Sequence, residues 1–226
     1  SITAPEIHRQ TRSVALTDAT LAERKNKLLS RMQHHRLDAV IIYADREHGA
    51  NFEYFTGFIP RFEEACLVVL ASGESSLLLG NENLKMVHHA RIPANAVHVP
   101  FFSLPNQPMA GERPFADYFR DAGLLPDSRI GVIGWKLFTA KTLDNTALFD
   151  LPSFVVDALR EFVGNQGSLV NATGVLISPQ EGVRILNNAN EIAHYEYGAT
   201  LAGAAIFDAL QAVEVGKRER EIGALL

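Results

Sequence analysis

The sequence predicts an α/β fold in which a mixed sheet is covered by helices on both faces. Short apolar runs that are continuous rather than alternating are typical of strands buried on both sides. These runs are Ala39–Ala44, Cys66–Leu70, Ser76–Leu79, Val97–Val99 and Arg129–Ile133. A Gly-containing turn of hairpin length at 71–75 predicts one antiparallel pair. Helical patterns near 82–90, 113–122 and 139–149 join the other strands.

The first helix is predicted to begin at Thr20 and to end near Arg36. Thr20 and Glu23 have the spacing of a capping box, in which the hydroxyl and the carboxylate bind free amides of the first turn. The apolar residues that follow at helical spacing are Leu21, Leu28, Leu29 and Met32. Such a stripe requires the helix to pack against the sheet.

Composition excludes several classes of partner. The 226 residues are 47% hydrophobic, and the net charge of −5 comes from well-mixed acidic and basic residues without a basic run, so we expect no nucleic-acid partner. We also expect no membrane partner and a cytoplasmic location, because neither a leader peptide nor an apolar stretch of about 20 residues is present. The single cysteine, Cys66, lies in an apolar run and is predicted to be a buried small hydrophobe.

Two irregular segments organise the rest of the chain. Residues 100–114 contain four prolines and predict a surface loop. Ser178–Gly182 predicts a hinge between one domain at 1–180 and a different helical region at 183–226. Apolar residues in that region predict a helix of about six turns. After Gly216 comes a second helix, and its apolar side is predicted to hold Ile222, Leu225 and Leu226.

No group of candidate metal ligands converges in the sequence. His34–His35 and His88–His89 are adjacent pairs, and neighbours on a helix point about 100° apart, so we expect solvated histidines. Carboxylates after residue 183 are interpreted as solvated helix faces, and they are Glu191, Glu196, Asp208, Glu214, Glu219 and Glu221. Gly131–Gly134 is a lone GxxG, which we interpret as a turn at a strand end, with nucleotide binding as an alternative.

The segment Asn51–Phe58 combines a packing pattern with polar residues. Phe52, Phe55 and Phe58 recur every three positions and are typical of the core face of a short helix, with Gly57 as its stop. Charged and aromatic residues follow at once in 61–64, on a loop before the next strand. Loops held by a rigid scaffold are where ligand contacts concentrate.

This segment resembles a motif of the creatinase/prolidase/aminopeptidase P family, N-x-x-Y-x-[ST]-G-F, which follows the first strand and helix of the amino-terminal domain. The matching residues are Asn51, Tyr54, Thr56, Gly57 and Phe58. The chain is also similar to the domain junction of the family, through Arg184, Glu191–Ile192, Gly216 and Glu219. With the strand order, the resemblance covers nearly the whole chain.

The resemblance implies a three-layer N-terminal α/β domain at 1–180, followed at 183–226 by the first helices of a truncated α+β pita-bread domain. The N-terminal domain is expected to shape the entrance of the active site and to contribute to a homodimer. The missing catalytic domain would hold two divalent metal ions (Mn, Co or Zn) on two Asp, one His and two Glu, for attack on a C–N bond, often of an Xaa-Pro peptide.

Those five ligands belong to family sequence beyond Leu226, so no catalytic residue, metal ligand or cofactor is expected in this chain. In some relatives the loop after Gly-Phe reaches the active site of the partner subunit. Phe58, Arg61 and Phe62 are therefore candidates for substrate-side contacts, and Arg61 would pair with a substrate carboxylate.

Two functions from different classes follow from these expectations. The first is the N-terminal portion, for substrate gating and dimerisation, of a metal-dependent Xaa-Pro peptidase-like hydrolase of peptide or small C–N substrates, inactive by itself. The alternative is a stand-alone, non-catalytic binding or dimerisation module on the same scaffold. Exposure of an apolar face on the last helix would favour the first, since such a face invites association.

Overall fold

The computed structural model describes residues 12–107, 109 and 111–226. The expectation about a leader peptide, and part of the predicted loop, fall on residues 1–11, Pro108 and Ala110, outside the described residues. The chain divides into two compact units, and each is considered by itself. The larger unit is 21–186, and the described part of the smaller unit joins 12–20 to 187–226.

A mixed sheet with the strand order β4-β3-β2-β1-β5-β6 lies at the centre of the larger unit. Its strands are β1 (Ala39–Ala44), β2 (Ala65–Leu70), β3 (Ser75–Leu79), β4 (Asn95–His98), β5 (Arg129–Ile133) and β6 (Ser168–Asn171). Strand β2 is antiparallel to β1 and β3, and the other neighbours are parallel. The predicted hairpin is confirmed. Strand β6 was missed because its four residues are only half-buried and include two polar ones.

The helices of the described residues are α1 (Asp18–His35), α2 (Ala50–Thr56), α3 (Phe115–Asp121), α4 (Ser153–Val163), α5 (Gly174–Ile177), α6 (Ala189–Gln211) and α7 (Glu219–Gly223). The helix predicted near 82–90 is a 3-10 helix, Leu84–His89. In the predicted surface loop, Pro100–Phe102 form a 3-10 turn that buries Phe102.

The helix predicted at 139–149 is wrong. Only Asn145–Ala147 form a 3-10 turn there, and the helix lies at α4 instead. The Asn145 side chain bonds both the amide and the carbonyl of Ala140, while Asp144 accepts from the Thr146 amide. Such local bonds between side chain and backbone compete with a helix.

The predicted start of α1 is also corrected. The Thr17 hydroxyl, not that of Thr20, accepts an amide of the first turn, from Thr20 at 3.2 Å. The helix begins at Asp18, and Thr20 is buried within it.

Alternating residues of β1 pack on opposite faces of the sheet. Val40 and Ile42 belong to a core cluster with Phe52 of α2 and with side chains of α1. Ile41 and Tyr43 belong to a second cluster with residues of α3 and α4. The three-layer α/β fold class is confirmed. Cys66 is buried as predicted, and burial raises the pKa of its thiol.

Gly57 ends α2 in the left-handed conformation, with a φ of 79°, and its amide donates a hydrogen bond to the Glu53 carbonyl.

Replacement of Gly57 with alanine should lower the free energy of unfolding by about 1–2 kcal/mol, because a Cβ is disfavoured in the left-handed conformation. The added Cβ would also lie 2.6 Å from Cγ of Arg91, an exposed side chain that can move. Urea denaturation measures the change. Gly111, with φ 82° and open space around an added Cβ, is the matched control for conformation alone. Unchanged stability of Gly57→Ala would contradict the prediction.

In the smaller unit, the start of α6 is a capping box. Asn188 accepts the Glu191 amide at 3.0 Å, and the Glu191 carboxylate accepts the Asn188 amide at 2.8 Å. The interpretation of Glu191 as a solvated carboxylate is therefore wrong, and its burial is complete. Asn190 accepts from the Thr20 hydroxyl at 2.8 Å and donates to the Ala15 carbonyl at 3.1 Å. These two bonds connect the N-terminal part of the smaller unit to α6.

The predicted long helix is confirmed as α6, and several of its apolar side chains are exposed. Ile206 and Leu210 are 54% and 65% exposed. Helix α7 ends at Gly223, so Leu225 and Leu226 lie beyond it and only Ile222 is on the helix, which corrects the predicted stripe. Among the described residues, no helix has both the length and the apolar character that a membrane span requires.

Candidate functional site

Asn51, from the first segment of the family resemblance, contacts Arg184, the first residue of the second, and both lie within the larger unit. Asn51 is buried in α2, and its Nδ2 donates to the Gly134 carbonyl at 2.7 Å. Nη1 of Arg184 donates to Oδ1 of Asn51 at 2.6 Å, across 133 residues of sequence. Asn51 thus joins α2 to the end of β5 and to the residue that opens the junction.

Tyr54 makes a second link to the same region. Its hydroxyl donates to the Val183 carbonyl at 3.4 Å. The guanidinium of Arg24 lies 3.9 Å from the centre of the Tyr54 ring and donates to the Tyr54 carbonyl at 2.7 Å. The polar motif residues therefore fix the position of α2.

Thr56, Gly57 and Phe58 turn the chain out of α2. The Thr56 hydroxyl is 3.0 Å from the carbonyls of Phe52 and Phe58 and donates to one of them. Phe58 is 7% exposed, and its ring packs edge-on against Phe52 at 5.3 Å. Phe58, predicted as a substrate-side residue, is placed in the core, where it anchors the loop that follows.

Arg61 and Phe62 lie on that loop and point to solvent. Phe62 is 56% exposed and has a φ of 72°, which is uncommon for a bulky residue. The Arg61 guanidinium lies 4.7 Å from the centre of the Phe62 ring. The loop thus presents a cation and an aromatic face side by side.

A buried carboxylate holds the base of this loop. Glu63 is 3% exposed and accepts from the amides of Glu82 and Asn83, both at 3.0 Å, and from Nδ2 of Asn83 at 3.2 Å. Oδ1 of Asn83 accepts the Arg61 amide at 3.1 Å. Sequence reasoning missed this pair because its members are 20 residues apart and belong to no motif.

Further exposed side chains lie where β1 and β5 end. The Trp135 ring, 41% exposed, stacks on His48 at 4.4 Å and an angle of 20°. Ile59 packs against the backbone of Gly49, where an added Cβ would lie 2.7 Å from its Cγ2. We call His48, Ile59 and Trp135 the aromatic edge.

Two aspartates hold His48 and Trp135 of the aromatic edge in place. Asp45 accepts from the amides of Glu47 and His48 at 2.8 Å and from the His48 ring at 3.0 Å. Partial burial alone would raise the pKa of Asp45, but these hydrogen bonds outweigh it and hold the pKa below its ordinary value. Since the folded-state pKa of Asp45 is lowered, its ionised carboxylate stabilises the folded state. This stabilisation is fully present above the unfolded-state pKa and is lost as the pH falls through the folded-state pKa. Asp150 accepts the amides of Trp135 and Lys136, both at 2.7 Å.

The position of the aromatic edge in the sheet favours ligand contact. Strands β1 and β5 are adjacent and parallel, so their carboxyl ends lie at the same edge of the sheet. The next strand after β1 is β2 on one side, and the next strand after β5 is β6 on the other. In open α/β sheets, ligands bind at such points. The predictions missed His48 and Trp135, although their positions just after two predicted strands are a usable signal.

The structure gives no support to nucleotide binding at Gly131. This glycine lies inside β5 rather than at a turn, and an added Cβ would lie 2.8 Å from Cβ of Ala172 and 2.9 Å from Leu37. At Gly134 an added Cβ would meet the Asp150 carboxylate, whose charge repels phosphate. Close packing explains the two glycines.

The candidate metal ligands of the described residues do not fit the catalytic metals of the family. The side chains that converge there are His34, His35 and Glu181, with one ligand atom from each within 4.8 Å of the others. His34 and His35 were expected to point apart, but one ligand atom of each lies within 4.8 Å of the other and of Glu181. Two histidines and one glutamate differ from the set of two Asp, one His and two Glu that the resemblance implies.

The mixed sheet and its covering helices define the larger unit as a three-layer α/β domain. Residues 24–133 match the family model of the Creatinase/Prolidase N-terminal domain. The chain therefore contains a creatinase/prolidase N-terminal domain, and the family resemblance is confirmed. No curated protein sequence matches the chain significantly.

Solved structures with a similar fold include prolidases and a dipeptidase. The prolidase from Pyrococcus horikoshii OT3 is 17% identical with a TM-score of 0.58, and the alignment covers 89% of this chain and 46% of that one. Recombinant prolidase from Thermococcus sibiricus is 16% identical with a TM-score of 0.61, and the alignment covers 93% of this chain and 48% of that one. Dipeptidase PepE from Mycobacterium ulcerans is 15% identical with a TM-score of 0.60, and the alignment covers 92% of this chain and 48% of that one. The chain spans about half the length of these structures, and the likeness is one of fold.

Proposed function

We propose that this chain is the N-terminal portion of a metal-dependent, Xaa-Pro peptidase-like C–N hydrolase, in which it gates the substrate entrance and contributes to a homodimer. The observation that carries the proposal is the exposed pair Arg61 and Phe62, on a loop anchored by Phe58 and by buried Glu63. A rigid loop with a cation and an aromatic face suits recognition of a peptide at an active-site entrance.

In this proposal, residues 1–180 form the N-terminal domain and 183–226 begin the pita-bread catalytic domain. The exposed apolar residues of α6, Ile206 and Leu210 among them, are then covered by the rest of that domain. Its two divalent metal ions (Mn, Co or Zn) would supply an activated water. The homodimer, the peptide or small C–N substrate and a cytoplasmic location belong to the same proposal.

Within this chain, Arg61 would bind a substrate carboxylate through its guanidinium fork, and Phe62 would cover the adjoining apolar part of the substrate. The exposed side chains of Ile59 and Trp135 are further candidates for apolar contact with the substrate. Neither side chain takes part in bond cleavage, so both act on substrate binding.

The first experiment is to sequence the reading frame past Leu226. The proposal expects it to continue for about as long again, as the 46% coverage of the P. horikoshii prolidase implies, and to supply the two Asp, one His and two Glu. A stop at this point would support the binding or dimerisation module instead. Measurable turnover of an Xaa-Pro dipeptide by the 226-residue chain alone would also contradict the proposal.

Gating by the loop is tested in the continuous enzyme. Arg61→Ala should lower kcat/KM for an Xaa-Pro dipeptide by about tenfold or more, mainly through KM, because a charge-assisted hydrogen bond is lost. Phe62→Ala should also raise KM. Both should leave the free energy of unfolding within about 0.5 kcal/mol, since the side chains are exposed.

Leu125→Ala is the matched control, because Leu125 is 68% exposed on another part of the larger unit. Arg61→Lys should fall between the wild type and Arg61→Ala, since an ammonium keeps the charge but not the planar fork. An unchanged KM in both alanine variants would exclude gating by this loop.

A further inference from the structure

We propose that His34, His35 and Glu181 form a binding site for one divalent transition-metal ion, of the Zn²⁺ or Ni²⁺ type. One ligand atom from each side chain lies within 4.8 Å of the other two. Nε2 of His35 is 3.0 Å from Oε1 of Glu181. Ligand bonds of about 2.0–2.2 Å place the donors of one ion some 3–4 Å apart, so small side-chain rotations complete the site.

The donor set selects the class of ion. Two imidazole nitrogens and one carboxylate oxygen suit Zn²⁺, Ni²⁺, Co²⁺ or Cu²⁺, whereas Mg²⁺ and Ca²⁺ prefer oxygen ligands throughout. His34 is exposed and the other two side chains are half-buried, so water has access to the remaining coordination positions. His35 and Glu181 also line a cavity of about 180 Å³.

The surroundings both favour and oppose a cation. His34 and His35 end α1, where the helix dipole stabilises positive charge. Arg31 opposes the ion, because its Nη1 lies 3.6 Å from Oε2 of Glu181 and competes for that carboxylate. The Arg31 side chain is 40% exposed, so its guanidinium can move into water when an ion binds.

A bound ion would connect two parts of the larger unit that are distant in sequence. It would tie the end of α1 to the loop at Glu181, which lies just before Arg184 and its bond to Asn51. The unfolded chain does not hold Glu181 near the two adjacent histidines, so binding should stabilise the folded state. The site is separate from the catalytic metals of the proposed function and does not depend on it.

Isothermal titration of the chain with ZnCl₂, and separately with NiCl₂, tests the site. The variant His34→Ala/His35→Ala should bind about tenfold or more weakly, because loss of even an outer-shell partner costs that much. Glu181→Gln should also weaken binding, and Arg31→Ala should strengthen it by freeing the carboxylate. The melting temperature of the wild type should rise with metal concentration, and that of the double-histidine variant should rise less.

The matched control is His88→Ala/His89→Ala, an adjacent pair at the end of a 3-10 helix that belongs to no converging donor group in the described residues. It should bind the metal as the wild type does, and far-ultraviolet circular dichroism confirms that each variant is folded. Equal affinity of the wild type and the double-histidine variant would overturn the site. So would equal losses in the two histidine pairs, or weaker binding by Arg31→Ala.

Discussion

Replacement of Glu63 with alanine should lower the free energy of unfolding by about 4 kcal/mol or more, because three hydrogen bonds to a buried carboxylate are lost and each is worth about 1.5–3 kcal/mol. The carboxylate is almost fully buried and is the acceptor for the amides of Glu82 and Asn83 and for the Asn83 side chain. Alanine leaves those donors without an acceptor. Urea denaturation of the purified chain measures the loss.

Two further variants separate the causes. Glu63→Gln keeps the shape and one carbonyl acceptor but turns an NH₂ group toward donors, so it should cost about half as much. Glu161→Ala, at an exposed position of α4, should remain within about 0.5 kcal/mol of the wild type. A Glu63→Ala variant as stable as Glu161→Ala would contradict the assigned role.

Loss of Glu63 should also loosen the loop that carries Arg61 and Phe62. Asn83 accepts the Arg61 amide at 3.1 Å, and Glu63 in turn fixes Asn83. Hydrogen exchange at the amides of Ile59, Arg61 and Phe62 should therefore be faster in Glu63→Ala than in the wild type, even at temperatures where the core remains folded. Unchanged exchange there would mean that the loop has other anchors.

The layers of the fold could be predicted because burial leaves a strong local signal. Strand β1 has six buried residues in a row, and α1 has a single apolar stripe. Each pattern is therefore compatible with one type of secondary structure. Strand β6 is half-buried and has no such signal. The false helix at 139–149 arises because Asn145 and Asp144 bond to the backbone locally, which an apolar pattern does not express.

The site was only partly predictable, since its parts come from separate segments. The exposed position of Arg61 and Phe62 follows from their place after the Gly57 turn. The stacking of Trp135 on His48 depends on the pairing of β5 with β1, which strand patterns alone do not determine. The anchor formed by Glu63 and Asn83 depends in the same way on a contact between loops.

Replacement of Asn51 with alanine should lower the free energy of unfolding by about 2–3 kcal/mol, because two hydrogen bonds of a buried side chain are lost. The Gly134 carbonyl loses its 2.7 Å donor, and Arg184 loses its 2.6 Å acceptor. Arg184 is partly exposed and can bind water, which keeps the loss below that of Glu63→Ala. Chemical denaturation is the measurement, and Asn95→Ala, at an exposed position of β4, is the matched control.

A double-mutant cycle tests whether the two family motifs act as one structural unit. If the bond between Arg184 and Asn51 is the link, Asn51→Ala and Arg184→Ala should be coupled by about 1–2 kcal/mol. Arg184→Ala and Asn95→Ala should be additive, because these residues have no bond to each other among the described contacts. Additive losses for Asn51→Ala and Arg184→Ala would mean that the two motifs contribute independently to the free energy of unfolding. Coupling would instead show that Asn51 and Arg184 act as one hydrogen-bonded unit, which joins α2 to the segment before α6.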